Sequence, residues 1–232
     1  MAVSLKKGQG VSLKKDVNDL SKVTIGLGWD VAETFKMVDK VVEKKKSGLG
    51  GFLGATESVV ERVKVVDEYD LDVVAFLCGA DGKIHNLGRD NAGKTTLVGG
   101  DVIFFNNLKH KCGQIWLTGD NRTGDGDGDD EQIIVNLNSL PEQFAKVVFV
   151  IQIYNGTKLG QTFGNVQKAF IRAVDGRGNE MVRFDLSGGS SFVDCRSMLF
   201  AEMIREPGGW KFNAIGSPSP SDTFVEWLKQ YT

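Results

Sequence analysis

The chain has 232 residues, 41% hydrophobic and 25% charged, with a formal net charge of −2; this is the composition of a folded protein with a core and excludes global disorder and fibrous architecture. No stretch approaches about 18 uncharged apolar residues, and the opening Met1-Ala2-Val3-Ser4-Leu5-Lys6-Lys7 is charged too early for the apolar centre of a signal peptide, so a cytoplasmic location is expected. Lysines gather in the first third and carboxylates near the middle, so no nucleic-acid binding is expected.

In chain order, Val3-Ser4-Leu5-Lys6-Lys7 is echoed by Val11-Ser12-Leu13-Lys14-Lys15 across Gly8-Gln9-Gly10, which predicts a hairpin. Alternating or β-branched runs predict ten further strands at 23–29, 71–78, 101–105, 114–118, 132–137, 146–154, 169–174, 181–186, 198–204 and 210–215. Their connections are mostly turn-sized and lack repeating helical crossovers. The expected fold is therefore all-β, an antiparallel β-sandwich forming a single domain over 1–232. The 29 glycines against four prolines suit many tight turns.

Two segments depart from the strand pattern. Residues 33–46 and 57–66 place Phe35, Val38 and Val42 at helical spacing and are divided by Gly48-Leu49-Gly50-Gly51-Phe52-Leu53-Gly54, which predicts a helical or irregular insertion near 32–68. At the C-terminus Ser221 or Asp222 is expected to cap a short helix carrying Phe224, Trp227, Leu228 and Tyr231 on one face, docked on the sandwich.

Chemistry concentrates in residues 119–131, Gly-Asp-Asn-Arg-Thr-Gly-Asp-Gly-Asp-Gly-Asp-Asp-Glu, which pack six carboxylates and four glycines into thirteen positions. Carboxylates a few ångströms apart lie well inside the physiological screening length of about 8 Å, so a compact loop needs protons or a bound cation. Oxygen donors without nearby His or Cys favour a hard ion, and flexible carboxylates with Gly-freed carbonyls suit calcium better than magnesium. The alternative is a solvated acidic turn. An EF-hand register from Asp120 fails, because Arg122 and Gly124 fall where ligands belong. Asp70-Leu71-Asp72 supplies two acids on one strand face, and Asp30 ends another strand.

Val3-Ser4-Leu5, Gly26-Leu27-Gly28-Trp29-Asp30, Asp70-Leu71-Asp72, Phe105-Asn106-Asn107, the whole 119–131 run, Phe163-Gly164-Asn165-Val166 and Trp210-Lys211-Phe212-Asn213-Ala214-Ile215-Gly216 occur in an order that resembles the TerD family of tellurium-resistance proteins, over nearly the whole chain. The resemblance implies a β-sandwich that binds calcium through acidic loops, no recognised catalytic activity, and a role in resistance to tellurite, phage, colicins or other stress. Carried over by position, the implied calcium shell is Asp120, Asn121, the carbonyl region at Gly124, Asp129, Asp130 and Glu131, joined by Asp70, Asp72 and Asp30. Asp30 can alternatively cap a loop. Asp125 and Asp127 occupy variable positions and are expected to face solvent. Expected partners are proteins of a stress-response complex. The chain departs from the family pattern in a longer, more basic 31–69 and an expanded 83–100.

The expanded stretch contains Gly88-Arg89-Asp90-Asn91-Ala92-Gly93-Lys94-Thr95, which matches the Walker A string of nucleotide-binding P-loops. That motif needs a strand running into it and a helix starting at Lys-Thr; here the preceding strand ends at Gly79, and Gly99-Gly100 interrupts any helix. The basic segment 40–46 beside the Gly-Leu-Phe residues 48–53 offers a third reading, a calcium-triggered scaffold on an anionic membrane. His85 and His110 are the only histidines, neither a nucleophile elbow nor a zinc-protease motif is present, and Cys78, Cys112 and Cys195 form no metal or disulfide pattern.

Overall fold

Period-two runs become strands wherever one face is covered. The computed structural model describes residues 2–31, 35–45, 54, 56–66, 69–118, 128–185 and 192–232. In chain order the strands are β1 (Val3–Leu5), β2 (Gly10–Lys14), β3 (Val23–Val31), β4 (Phe35–Lys45), β5 (Thr56–Val66), β6 (Leu71–Cys78), β7 (Val102–Ile103), β8 (Ile115–Leu117), β9 (Glu131–Val135), β10 (Lys146–Ile153), β11 (Val166–Val174), β12 (Glu180–Asp185), β13 (Ser197–Glu206) and β14 (Gly209–Ser219). Two single-turn helices, α1 (Gly156–Leu159) and α2 (Val225–Leu228), complete the described elements with a 3-10 turn at Phe163–Asn165.

Contacts divide the chain into two units, Met1–Val31 with Tyr69–Thr232, and Ala32–Glu68. In the first, twelve strands form two six-stranded sheets. The first sheet runs β1-β12-β11-β3-β9-β8 and the second β2-β14-β13-β10-β6-β7. Every pairing in them is antiparallel except β1 with β12. The core between them joins Ile25, Leu27, Trp29, Ile133 and Ile171 to Leu71, Val73, Phe149, Phe200 and Phe212. A second cluster covers the other face of the second sheet, where Val74, Phe76, Val148 and Val150 meet Phe104, Phe224, Trp227 and Leu228. This double coverage explains why β6, Leu-Asp-Val-Val-Ala-Phe-Leu-Cys, is buried along its whole length instead of alternating.

The structure corrects three local expectations. The opening echo is not a hairpin: β1 pairs with β12 in the first sheet and β2 with β14 in the second. Leu5 and Leu13 both reach the inter-sheet core, and the link between them is pinned to Ala214 by Gly8 N–H donating at 2.8 Å and Gln9 C=O accepting at 2.8 Å. Within the 32–68 insertion, expected to be helical or irregular, the described residues 35–45 and 56–66 form a β-ribbon. A spacing of four, as in Val38 and Val42, keeps one face in a strand as well as in a helix, and the β-branched composition decides. Val38 stands opposite Val63, Val41 opposite Val60 and Val42 opposite Val59, with Lys40 opposite Glu61 and Asp39 opposite Arg62.

The C-terminal helix forms as α2 and buries Trp227 and Leu228, but neither Ser221 nor Asp222 caps it. Asp222 Oδ2 instead accepts the Thr157 N–H at 2.8 Å, and Phe224 N–H donates to Gln152 Oε1 at 2.7 Å. Among the described residues no helix is long and apolar enough to cross a membrane.

Candidate metal centre

Asp130 and Glu131 lead from the acidic loop into β9, which lies between β3 and β8 in the first sheet. Asp130 docks on β3 twice: its N–H donates to Leu27 C=O at 2.8 Å, and its Oδ2 accepts the Trp29 N–H at 2.9 Å. Glu131, 2% exposed, reaches across to the second sheet, where its Oε2 accepts the Val73 N–H at 2.5 Å. That N–H lies beyond the end of β7, which pairs with β6 only at Ala75 and Phe76; the carboxylate caps a strand edge that β7 is too short to cover. β7 stops early because the chain turns back on itself, Phe104 N–H donating to Asn107 C=O at 3.3 Å and Asn107 N–H to Phe104 C=O at 2.8 Å.

The other expected ligands distribute differently. Asp72 is buried beside its β10 partner Gln152, whose Nε2 donates to Asp72 Oδ2 at 2.9 Å; the same Gln152 holds Phe224. Asp70 lies half-buried before β6, its C=O accepting the Tyr154 N–H at 2.8 Å. Asp30 pairs with Lys168 Nζ at 2.6 Å on the surface. Asp129 turns onto the outer face of the first sheet and binds Arg172 Nε at 2.7 Å. Asp120, Asn121 and Gly124 lie outside the described residues. The fold thus brings Asp130 and Glu131 to the strand ends that carry Asp30 and Asp72, while Asp30 and Asp129 face basic side chains. Among the described residues no three His, Cys, Asp or Glu side chains converge as a metal-holding group.

Arg172 and Gln132 carry no signal of a site in the sequence, and Gly26 stands there only as part of the Gly26–Asp30 motif. They form one cross-strand row, with Gly26 opposite Gln132 on β9 and opposite Arg172 on β11. The only sequence signal is a glycine inside a strand, which marks a close approach without saying of what. The bond to Asp129 pushes the Arg172 pKa up; partial burial opposes the rise and Glu180 adds to it.

The Walker-like string has neither flank of a P-loop. Arg89 and Thr95 form an isolated β-bridge around an exposed turn, no helix follows, and Asp90 Oδ1 accepts the N–H groups of Ala92 and Lys94, both at 2.9 Å. Amides that would cradle phosphate are turned on a carboxylate of the same loop. His110 is also structural. Its Nδ1 accepts the Cys112 N–H at 3.1 Å, which leaves Nε2–H to donate to the buried Asp101 at 3.1 Å. Burial pushes the Cys78 thiol up to about 12 and the Cys195 thiol up to about 11, so both are inert at neutral pH.

Comparison with known proteins places this geometry in a family. The TerD domain model matches residues 1–231. The chain is 62% identical over 231 residues to tellurium resistance protein TerX of Serratia marcescens, covering 100% of both. It is 35% identical to stress response protein SCP2 of Bacillus subtilis (strain 168), again over 100% of both chains. A solved homologue of telluride resistance protein TerD from Streptomyces coelicolor A3(2) superposes with a TM-score of 0.57 at 19% identity, covering 91% of this chain and 98% of the other, and shows the same fold. The matched motifs, the two-sheet architecture and these relatives together establish that the chain belongs to the TerD family of tellurium-resistance and stress-response proteins.

Proposed function

We propose that this chain is a non-catalytic calcium-binding module of the tellurite-resistance and stress-response type, in which the 119–131 loop closes on calcium at one end of the sandwich and orders a surface for protein partners. The observation that carries this reading is the anchoring of two consecutive loop acids on different sheets, Asp130 at Trp29 of β3 and Glu131 at Val73 of β6. The donor set fits the ion. It is made of oxygen alone, carboxylates and amide or backbone carbonyls, which is the chemistry calcium prefers. Asp130 and Glu131, with Asp120, Asn121 and the Gly124 carbonyl from the loop and Asp70 and Asp72 from the start of β6, would hold calcium. The ion's role when bound is charge neutralisation of a loop that otherwise repels itself. Asp130 and Glu131 hold the exit of the loop at Trp29 of β3 and Val73 of β6.

Calorimetric titration of calcium into chelator-stripped protein tests the reading. Saturable heat with whole-number stoichiometry is expected in the wild type, with loss of binding in Asp130→Asn and Glu131→Gln. Absence of calcium heat in the wild type, or wild-type affinity in both variants, would overturn it.

A further inference from the structure

Three consecutive acids leave the loop in three directions, and the first is already neutralised by the protein. Asp129 lies over Gly26, where any Cβ would fall on its carboxylate. On either side of that glycine the neighbouring strands contribute Gln132 and Arg172. Gln132 Nε2 donates to Asp129 Oδ2 at 3.3 Å, and Arg172 Nε donates to Oδ1 at 2.7 Å. The Asp129 side chain is 3% exposed. Gly28, two residues along the same face, is overlaid by the Gly128 carbonyl. Residues 128–130 therefore rest directly on the β3 backbone, which is possible only because that face has no side chain at two alternate positions.

We propose that Asp129 is the lock of the acidic loop, not a calcium ligand, and that Arg172 is a positioning residue which, by holding Asp129 on Gly26, presents Asp130 and Glu131 in a cation-competent arrangement. The affinity part rests on the calcium reading above; the lock itself does not. A loop released from the glycine floor samples many conformations, and apparent affinity falls in proportion to the competent fraction. If release lowers that fraction to about one tenth, calcium binds about tenfold more weakly.

The sign of the Arg172 effect separates positioning from simple electrostatics. Removing a cation beside an acidic site strengthens calcium binding if Arg172 acts only through its charge, and weakens it if Arg172 positions the loop.

The experiment uses the full chain with Asp129→Asn, Arg172→Met, Arg172→Lys, Gly26→Ala and the double variant D129N/R172M. Two readouts are taken well below each variant's melting temperature: calcium affinity by calorimetry, and the rate of tryptic cleavage after Arg122, the only Lys or Arg in residues 119–131. Expected are about tenfold weaker calcium binding with unchanged stoichiometry in D129N, R172M and G26A, the double variant no worse than either single, and partial recovery in R172K. Cleavage at Arg122 in calcium-free protein is expected to accelerate in the same order. Stronger calcium binding in R172M, loss of binding in D129N as complete as in D130N, or melting-temperature changes with affinity and cleavage unmoved would each overturn the proposal. If the wild type gives no calcium heat, the calcium reading fails, while the calcium-free cleavage rates still decide whether the lock exists.

Discussion

Asp175 gives the sharpest test of how turns hold this sandwich together, because its carboxylate collects donors from two separate segments. Its Oδ1 accepts the N–H groups of Arg177 at 3.0 Å and Asn179 at 2.9 Å. Its Oδ2 accepts the Asp19 N–H at 3.2 Å and the Arg177 guanidinium at 3.1 and 3.2 Å. The side chain is 1% exposed. Burial pushes its pKa up, but the Asn179 and Asp19 amides and the Arg177 guanidinium outweigh burial and hold it at about 2. In Asp175→Asn one oxygen becomes an NH2 group, and whichever side it takes then faces at least two N–H donors. Leaving two donors to a charged acceptor unmet costs about 3 kcal/mol, which at roughly 2–4 °C per kcal/mol for a domain of this size lowers the melting temperature by about 6–12 °C. The folded pKa lies below the ordinary 3.8, so the carboxylate's stabilisation is complete above the unfolded pKa and is lost as pH falls through about 4 toward 2. Urea denaturation monitored by circular dichroism from pH 7 to pH 2.5 should show a constant gap between wild type and D175N that closes below pH 4. A gap under about 0.5 kcal/mol at pH 7, or one that persists unchanged at pH 2.5, would refute the reasoning.

Two further outcomes follow from buried contacts. Gly28→Ala would press a methyl onto the Phe170 ring and the Gly128 carbonyl; a loss of about 2 kcal/mol is expected in thermal melts, with faster tryptic cleavage at Arg122. His110→Phe keeps the edge-on packing against Phe144 but leaves the buried Asp101 without its imidazole donor; a loss of about 3 kcal/mol in urea titrations is expected, much less than additive with Asp101→Asn.

The sandwich was legible because its strands obey period two or form continuous apolar runs, and these signals survive without knowledge of partners. β6 spans 71–78 as the apolar run predicts, and β10 ends one residue short of its expected bound. Partnering is what local pattern lacks. The echo at residues 3–15 looks like two arms of one hairpin, yet the arms belong to different sheets because each leucine needs the same core from opposite sides. The ribbon β4–β5 is not told from a helix by spacing, because valines four apart share a face in either geometry.

The site was half legible for a related reason. A dense acidic loop announces that negative charge must be neutralised, and the three acids at its exit look equivalent in the sequence. They separate only when cross-strand register is known. Asp129 meets Arg172 because Gly26 stands between Gln132 and Arg172 in one row, whereas Asp130 docks on the Trp29 N–H of β3 and Glu131 on the Val73 N–H of β6. Arg172 neutralises Asp129 within the protein through a charge-assisted hydrogen bond. An arginine on a neighbouring strand thus identifies the acid that the fold itself neutralises, and only register reveals that arginine.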